Sequence, residues 1–318
     1  MKPKILVIGR NGQVGTQLVS LLPNVGELLA LNRQQLDLTK PNDIRQTIQE
    51  VRPQWIVNAA AYTAVDQAEK DEATARAINE GAPAVIAEEA KKIGAALVHY
   101  STDYVFDGSK KSPYEETDAP NPINVYGKTK LGGERAIQES GALHLIFRTE
   151  WVYATEGRNF LLTILRLATQ KQELRIVADQ IGSPTSSREI AVATVRVISQ
   201  LLDRKDGLHS LANIGGIYHM TASGETSWYD FAKAILDEAS SATRTVPWVK
   251  SATNSMPFIT ERIIPITTEE YPTSARRPAY SVLSTTRLRD RFGVSLPSWR
   301  AQLQSLFAAS GSEGPLAH

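Results

Sequence analysis

Residues 5–15 read Ile-Leu-Val-Ile-Gly-Arg-Asn-Gly-Gln-Val-Gly, an apolar run followed at once by a glycine-rich turn. Four consecutive apolar residues are typical of a strand that is buried on both faces of a parallel sheet. A helix is predicted to follow at residues 16–22. Gly9, Gly12 and Gly15 allow a tight turn and close backbone approach, and a helix N-terminus attracts a pyrophosphate. The stretch predicts a dinucleotide-binding unit, and an ordinary tight turn between strand and helix is the alternative.

Beyond this unit, apolar runs and helical patterns alternate about six times up to residue 150. Such alternation is typical of a doubly wound parallel sheet, so the predicted fold class is α/β of the Rossmann type. Further strands are predicted at residues 27–31, 55–58, 95–100 and 145–147. Helices are predicted at residues 43–52, 69–80, 82–93 and 126–140. We expect residues 1–150 to form a dinucleotide-binding domain, with parts of 159–215 completing its sheet.

The second half of the chain alternates less regularly. Helices are predicted at residues 159–170, 189–202 and 228–239, and strands at 174–177, 215–220 and 263–266. Residues 179–185 are predicted to be a turn-rich loop. We expect residues 151–309 to be mainly a smaller, mixed substrate-binding domain, partly interleaved with the first. Residues 310–318 are predicted to be a flexible tail.

Composition excludes several classes of protein. The 318 residues include 35 basic and 34 acidic side chains, so the net charge of +1 gives no basic excess to attract nucleic acid. There is no cysteine, which excludes disulfides and thiolate chemistry, and the five histidines show no metal-ligand spacing. No apolar run is long enough for a membrane span. We expect a cytoplasmic protein without nucleic-acid, membrane or metal partners; a homodimer is compatible with the sequence.

Two polar residues follow the second predicted strand, Asn32 and Arg33. In nicotinamide sites an acidic residue here binds the ribose 2′-hydroxyl, whereas an arginine accommodates a 2′-phosphate. The pair therefore favours NADPH over NADH, with a solvated loop arginine as the alternative. Asp37 is predicted either to reach the adenine amino group or, like Thr39, to cap the helix that follows.

A tyrosine and a lysine lie four residues apart at Tyr126 and Lys130. On a helix they share one face, and a nearby cation lowers the pKa of a phenol. Such a phenol can pass a proton to a carbonyl oxygen. The pattern alone is weak, because Tyr229 and Lys233 repeat it in a helix where we expect packing or surface roles. Thr102, at the end of a predicted strand, is a third candidate, since its hydroxyl can donate to a substrate carbonyl. A hydroxyl that only caps the following turn is the alternative.

Several longer runs then resemble one family. They are GRNGQVG, LDLT, VNAAAYTAVDQAE, HYSTDYVFDG, NVYGKTKLGGE, FRTEWVY, QIGSPT and RRPAYSVL. In this order and together with the Tyr-x-x-x-Lys pair, they resemble the dTDP-4-dehydrorhamnose reductase family of extended short-chain dehydrogenases/reductases. The resemblance extends from residue 4 to about residue 305.

The resemblance implies reduction of the C4 ketone of dTDP-4-dehydro-L-rhamnose to dTDP-L-rhamnose, the last step of dTDP-rhamnose synthesis, with NADPH or NADH as the hydride donor. It implies that Tyr126 protonates the oxygen at C4. Lys130 would hold the nicotinamide ribose and lower the pKa of Tyr126. Thr102 would bind the ketone oxygen, with Asp103 beside it at the sugar.

The same resemblance assigns further residues to the cofactor and the sugar. Gly12, Gln13 and Val14 would cradle the pyrophosphate; Asp37 and Leu38 would flank the adenine; Ala61, Tyr62 and Thr63 would line the cofactor cleft; and Trp151 would pack against the sugar. For Trp151 the alternative is a core aromatic. Two positions depart from the family pattern: Tyr62 stands where some members carry histidine, and Asn32 stands where an acidic residue is expected.

Two other functions remain open from the sequence. One is a nucleotide-sugar epimerase or dehydratase of the same superfamily, although Asp103 offers only one carboxylate next to Thr102. The other is a non-catalytic regulatory subunit with the same fold, for which intact Thr102, Tyr126 and Lys130 would not be needed.

Overall fold

The computed structural model describes residues 2–204, 207–242 and 246–308. The predicted tail at 310–318 lies outside these residues. The strands are β1 Lys4–Ile8, β2 Glu27–Leu31, β3 Trp55–Asn58, β4 Ala96–Thr102, β5 Leu143–Thr149, β6 Val152–Tyr153, β7 Glu173–Val177, β8 Ile181–Gly182, β9 Thr185–Ser186, β10 Gly216–His219, β11 Thr226–Ser227 and β12 Arg262–Ile266. The helices are α1 Gln13–Leu21, α2 Pro41–Val51, α3 Val65–Ala68, α4 Glu72–Arg76, α5 Ala82–Ile93, α6 Val125–Ser140, α7 Phe160–Ala168, α8 Ser187–Leu202, α9 Leu211–Ile214, α10 Trp228–Ala242, α11 Pro247–Thr253, α12 Thr286–Phe292 and α13 Trp299–Ala308.

Six parallel strands form the central sheet, in the order β10-β5-β4-β3-β1-β2. Alternate residues of β1 pack in the hydrophobic cores on opposite faces of the sheet, because successive side chains of a strand point to opposite faces. Ile5 and Val7 pack with residues of α1 and α8, whereas Leu6 and Ile8 pack with residues of α2 and α5. The predicted α/β class with a doubly wound parallel sheet is confirmed.

The sixth strand comes from far along the chain. The sequence placed residues 215–220 in the mixed second half, but β10 joins the central sheet and pairs with β5. Strand β10 therefore begins at Gly216, one residue after the range 159–215 that we expected to complete the sheet. Helix α8, which lies within that range, covers one sheet face beside α1. A local pattern shows that a segment is a strand but not which strand it pairs with, because pairing is a long-range contact.

The first helices differ from prediction in their boundaries. Helix α1 begins at Gln13 rather than Thr16, so the last part of the glycine turn is helical. The single helix predicted at 69–80 is instead α3, α4 and a wide π-type turn at Ala77–Gly81. Pro83 lacks the N–H that would bond the carbonyl of Asn79 in an α-helix, which favours the wider turn at this point.

The second half has its own core, built from α7, α10, α11 and α13. Short pairs of strands surround it: β12 with β7, β11 with β8, and β6 with β9. The predicted turn-rich loop at 179–185 thus contains two short strands. The segment that follows β12 returns toward the first half, where Leu283 bridges Tyr114 and Arg277 pairs with Asp66. Within the described residues, no helix has the length and apolar character needed to cross a membrane.

Candidate active site

A cleft of about 720 Å³ opens at the carboxyl ends of β1, β3 and β4. The strand order reverses between β1 and β3, and open parallel sheets bind ligands at such a switch point. Most predicted site residues line this cleft: Gly9, Gly12, Gln13, Val14, Arg33, Asp37, Leu38, Ala61, Tyr62, Thr63, Tyr126 and Lys130. The lining does not include Gly15, Thr102, Asp103 or Trp151.

Backbone packing explains the glycine turn. Gly9 has a φ of 91°, and a Cβ there would lie 2.6 Å from the backbone nitrogen of Ala60. A Cβ on Gly15 would overlap the carbonyl oxygen of Gly9. Gly12 precedes α1, and no side chain caps this helix. Because the first N–H groups of a helix lack partners within it, this end of α1 can bind a pyrophosphate.

One end of the cleft is lined by Asn32, Arg33 and Asp37. The Asn32 Oδ1 accepts two backbone N–H groups of its own turn, at 3.0 and 3.1 Å. The Asp37 Oδ1 accepts the N–H and the hydroxyl of Thr39, which hold the pKa of Asp37 below its usual value. The capping alternative is wrong, because Lys40 precedes α2 and no side chain caps that helix. Arg33 is exposed and lines the cleft. Its neighbour Asn32 is uncharged, so no carboxylate at position 32 would repel a phosphate group bound there.

The cleft wall at residues 61–63 is fixed by Asn79, a buried residue of the π-type turn. Its Oδ1 accepts the N–H of Tyr62 at 2.8 Å, and its Nδ2 donates to the Tyr62 carbonyl at 3.0 Å. The same Nδ2 also contacts the Thr129 hydroxyl, at 3.2 Å. The irregular turn therefore connects the cofactor wall to α6, the helix that carries Tyr126.

Helix α6 begins at the position needed to bring Tyr126 into the cleft. Asn124 caps it, accepting the N–H of Gly127 at 2.8 Å, and donates to the carbonyl of Arg276 at 2.8 Å. A side chain at Gly127 would overlap the carbonyl oxygen of Tyr104. The Tyr104 ring meets the Tyr126 ring edge to face, with centroids 5.5 Å apart. The first turn is thus held by contacts with Arg276 and Tyr104.

Lys130 is buried, and its Nζ donates to the carbonyl of Tyr100 at 2.6 Å. The Nζ also lies 3.1 Å from His99 Nε2. The tautomer of His99 follows from Asn58, whose Oδ1 accepts the N–H of Ala60 and whose Nδ2 faces His99 Nδ1. The ring hydrogen then sits on Nε2 and faces Lys130, which favours the uncharged amine. Burial lowers the pKa of Lys130 to about 8, and Glu134 partly opposes the change.

The phenol of Tyr126 retains its proton strongly in this arrangement. Burial raises the pKa of Tyr126, a hydrogen bond with Thr102 opposes the rise, and the charge of Asp103 adds to it. The sequence predicted a lowered pKa through Lys130. The direction is opposite, because burial disfavours the phenolate and the Lys130 Nζ is held by Tyr100 and His99.

Thr102 ends β4, and its hydroxyl turns inward. The Oγ1 donates to Asp103 Oδ1 at 2.9 Å and accepts the N–H of Tyr104 at 3.2 Å. Asp103 is only 2% exposed, and burial raises its pKa to about 7. Thr102 lies beside the Tyr126 phenol, and the Asp103 carboxyl points into the protein. The contacts of both residues with the sugar stay predictions.

Trp151 has a positive φ of 45°, which is rare for a bulky residue. Its ring stacks on Trp228, with centroids 3.5 Å apart, and lies over Gly182, where a Cβ would collide with the indole. Trp228 lines a second cavity of about 560 Å³ between α7, β7 and β12, which Arg175 and Arg277 also line. Trp151 is not among the residues that line this cavity or the cleft, and its contact with the sugar stays a prediction.

Comparison with known proteins adds to this geometry. The family model described as RmlD substrate binding domain matches residues 2–311. A dTDP-4-dehydrorhamnose reductase from Burkholderia thailandensis is 48% identical over 93% of this chain and 95% of that protein. The chain belongs to the dTDP-4-dehydrorhamnose reductase family. The resemblance read from the sequence is confirmed.

Two further members of the dTDP-4-dehydrorhamnose reductase family are similar to this chain over nearly its whole length. The Escherichia coli K12 reductase is 41% identical over 95% of this chain and 96% of its own length. The crystal structure of the Bacillus anthracis reductase in complex with NADP is 35% identical, with a TM-score of 0.84, and covers 97% of this chain and 100% of that chain. The full length of the fold, and not only the cofactor domain, is therefore that of the family.

Sequence reasoning missed several buried residues of this reductase-family site. They are Asn58 and His99 beneath Lys130, Asn79 behind Tyr62, and Glu150 with Ser281 behind Asp103. Asn58 carried a signal, because a polar residue closes an otherwise apolar strand. The others could not be found from spacing, since distant segments bring them together. The second tyrosine–lysine pair lies outside the cleft lining, with the Lys233 Nζ 5.8 Å from the centre of the Tyr229 ring.

Proposed function

We propose that this chain reduces the C4 ketone of dTDP-4-dehydro-L-rhamnose to dTDP-L-rhamnose, with NADPH or NADH as the hydride source and Tyr126 as the proton donor. The observation that carries the proposal is the position of Tyr126 and Lys130 on the wall of the cleft that begins at the glycine turn. Relatives that carry the name of this reductase over nearly the whole chain support it.

The residues of the cleft fit a nicotinamide dinucleotide. The uncapped N-terminus of α1 suits the pyrophosphate, and Asp37 and Leu38 line the far end of the cleft, where the adenine would lie. When bound, the cofactor supplies a hydride to the carbonyl carbon. Lys130 lies where it can hold the ribose hydroxyls, one helical turn from Tyr126.

Arg33 supports NADPH as the preferred form. It is exposed at the edge of the cleft, and Asn32 is already bonded within its own turn. A 2′-phosphate gains a charge-assisted hydrogen bond from an arginine, whereas a 2′-hydroxyl gains little. The B. anthracis relative was crystallised with NADP, in agreement with this choice.

Tyr126 acts as a general acid that remains protonated at neutral pH. Its raised pKa keeps the proton on the phenol until negative charge develops on the oxygen at C4. The transfer breaks the phenol O–H bond and forms the hydroxyl of the product. Thr102 supplies a second polar contact to the same oxygen, and it lies beside the phenol.

The second cavity suits the nucleotide part of the substrate. Its walls combine the Trp228 ring and aliphatic side chains with the cations of Arg175 and Arg277, which match a base and a diphosphate. Trp151, stacked on Trp228, then lies between the nucleotide end and the reacting sugar. A homodimer stays a prediction, and light scattering of the purified chain measures it.

Incubation of the purified chain with dTDP-4-dehydro-L-rhamnose and each nicotinamide tests the proposal. We expect the nicotinamide absorbance to fall, with one cofactor oxidised for each dTDP-L-rhamnose formed. An epimerase would interconvert sugars without net cofactor consumption, and a regulatory subunit would bind without turnover. Either result would overturn the proposed reduction.

A further inference from the structure

The loop between β6 and α7 forms one wall of the cofactor cleft. Its residues Glu156, Gly157 and Arg158 line the cleft together with Gly12 and Gln13, and these three loop residues are exposed. None of the three lines the second cavity. Within the described residues, no acidic side chain forms an ion pair with Arg158. The guanidinium of Arg158 is therefore available to a ligand in the cleft.

The start of this loop lies beside the glycine turn. Strands β3 and β4 separate β5 from β1 in the sheet, but the chain that leaves β5 returns toward α1. Gln13, the first residue of α1, donates through its Nε2 to the carbonyl of Val152 at 3.4 Å. Both residues line the cleft. The chain therefore enters the loop close to the helix end that suits a pyrophosphate.

The end of the loop is folded back onto its start. The Nδ2 of Asn159 donates to the carbonyl of Ala154 at 2.9 Å and to the carbonyl of Glu156 at 3.2 Å. Gly157, with a φ of 80°, adopts the left-handed conformation that lets the chain reverse between these contacts. Arg158 follows directly after this reversal. It is therefore held close to the end of β6, on the side of the cleft where β6 meets α1.

The glycine turn itself supplies no charged side chain to the lining of the cleft. Its lining residues are Gly9, Asn11, Gly12, Gln13 and Val14. Arg10 is not among them, and its Nη1 donates to the carbonyl of Ala30 at 3.4 Å. The N-terminus of α1 carries about half an elementary positive charge, which is less than the charge of a pyrophosphate. A cation from another part of the chain is needed to balance that group.

Two other basic residues line the cleft, and each lies toward one of its ends. Arg33 follows β2, the edge strand beyond β1, at the end where the adenine would lie. The Lys130 Nζ is held by the carbonyl of Tyr100, in β4, where it can reach the nicotinamide ribose. The loop that carries Arg158 meets the glycine turn at the end of β1, which lies between β2 and β4 in the sheet. Arg158 therefore enters the cleft between the two ends, where the pyrophosphate would lie.

We propose that Arg158 contacts the cofactor, with its guanidinium bound to the pyrophosphate of the nicotinamide dinucleotide. This inference rests on the nicotinamide site of the proposed function. A guanidinium presents paired N–H groups that match two oxygens of a phosphate group. NADPH and NADH both carry the pyrophosphate, so Arg158 strengthens the binding of both, whereas Arg33 would act on the 2′-phosphate alone.

Calorimetric titration of the purified chain without sugar nucleotide measures this contact. We expect Arg158→Ala to raise the Kd for NADPH and for NADH by the same factor, about tenfold, because each loses one charge-assisted hydrogen bond. The Kd for ADP-ribose, which keeps the pyrophosphate and lacks the nicotinamide, should rise by that factor as well. The Kd for adenosine 2′-phosphate, which lacks the pyrophosphate, should stay within about twofold of its value in the unaltered chain.

Three further variants are the controls. Arg158→Lys keeps the charge but not the paired N–H groups, so its loss should be smaller than that of Arg158→Ala. Arg166→Ala removes an exposed arginine of α7 that does not line the cleft, and it should leave every Kd unchanged. Glu156→Gln removes an acidic charge from the same loop and should not raise the Kd of either dinucleotide. Thermal melting shows that each variant is folded.

Four outcomes would overturn the inference. They are an unchanged Kd in Arg158→Ala, a loss confined to NADPH and adenosine 2′-phosphate, a loss confined to dTDP-L-rhamnose, and an equal loss in Glu156→Gln. The second assigns Arg158 to the 2′-phosphate, and the third assigns it to the sugar nucleotide. Failure of the proposed function is distinct: the unaltered chain would bind the nicotinamide but oxidise none with dTDP-4-dehydro-L-rhamnose. An unaltered chain that binds neither nicotinamide would overturn both.

Discussion

At the residue scale, Tyr126 illustrates how burial and chemistry combine. Its ring is enclosed by Tyr104, and its hydroxyl meets Thr102, so the phenolate is disfavoured until a substrate oxygen needs the proton. Lys130 is held by Tyr100 and His99 rather than by the phenol. Lys130 is therefore a buried amine with a lowered pKa, and Tyr126 is the protonated general acid.

Tyr126→Phe removes the transferable proton and little else, because the ring keeps its contact with Tyr104. We expect turnover to fall by at least about a hundredfold, with cofactor affinity nearly unchanged. Steady-state kinetics and cofactor titration measure the two effects. Tyr229→Phe, in the second tyrosine–lysine pair, is the control and should retain full turnover. An unaltered rate in Tyr126→Phe would exclude this phenol as the proton donor.

Arg33→Ala tests the choice of nicotinamide. The side chain is exposed at the cleft, so stability should not change measurably. Loss of a charge-assisted contact to a 2′-phosphate should raise the KM for NADPH by about tenfold or more and leave that for NADH within about twofold. Arg45→Ala, on α2, is a control outside the cleft. Equal changes for both nicotinamides would show that Arg33 does not contact the phosphate.

At the element scale, α6 is positioned by close backbone approach on several sides. Gly127 allows the helix to meet the carbonyl of Tyr104, and Gly133 allows it to meet the carbonyl of Asn79. Asn79 belongs to the π-type turn and also holds the cofactor wall at Tyr62. The helix that carries Tyr126 and the wall that faces the cofactor are therefore fixed to the same irregular turn.

Gly133→Ala tests this contact without touching Tyr126. Its Cβ would overlap the backbone carbonyl of Asn79, which cannot rotate away, so we expect a loss of about 1–3 kcal/mol in the free energy of unfolding. Gly132→Ala, one residue earlier, meets the side chain of Glu80, which can rotate away, and should stay within about 1 kcal/mol of the unaltered chain. Urea unfolding measures both. Equal stability of the two variants would contradict the close approach.

At the scale of the whole molecule, the two halves meet through the returning segment at 273–284. Arg277 binds both carboxylate oxygens of Asp66, and Asp66 also accepts the N–H of Ala275 at 3.0 Å. Burial alone would raise the pKa of Asp66, but the hydrogen bonds from Arg277 and Ala275 outweigh it, and the pKa is lowered. Stability from this contact is therefore present above the usual carboxyl pKa and is lost as pH falls through the lowered value.

Asp66→Asn weakens this connection between the halves. We expect the amides of residues 273–281 to exchange hydrogen faster and the KM for the sugar nucleotide to rise several-fold, because Arg277 lines the second cavity. The KM for the nicotinamide should change little. Glu72→Gln, which breaks an exposed pair with Arg76, is the control and should alter neither quantity. Unchanged exchange in Asp66→Asn would show that the segment is held by other contacts.

The sequence by itself determined the local and periodic features of this protein. The buried run of β1, the glycine turn, the alternation of strands and helices, and the spacing of Tyr126 and Lys130 are all encoded over short distances, where steric limits and hydrophobic periodicity leave few alternatives. The resemblance to the reductase family rests on such short runs as well.

Only the tertiary structure decided which distant segments meet. It placed β10 in the central sheet, broke the predicted helix at 69–80, and brought His99 to Lys130 and Ser281 to the buried carboxyl group of Glu150. It also reversed the expected direction of the Tyr126 pKa. Pairing partners, burial and the resulting pKa shifts depend on contacts between residues far apart in the chain, and local sequence patterns do not encode those contacts.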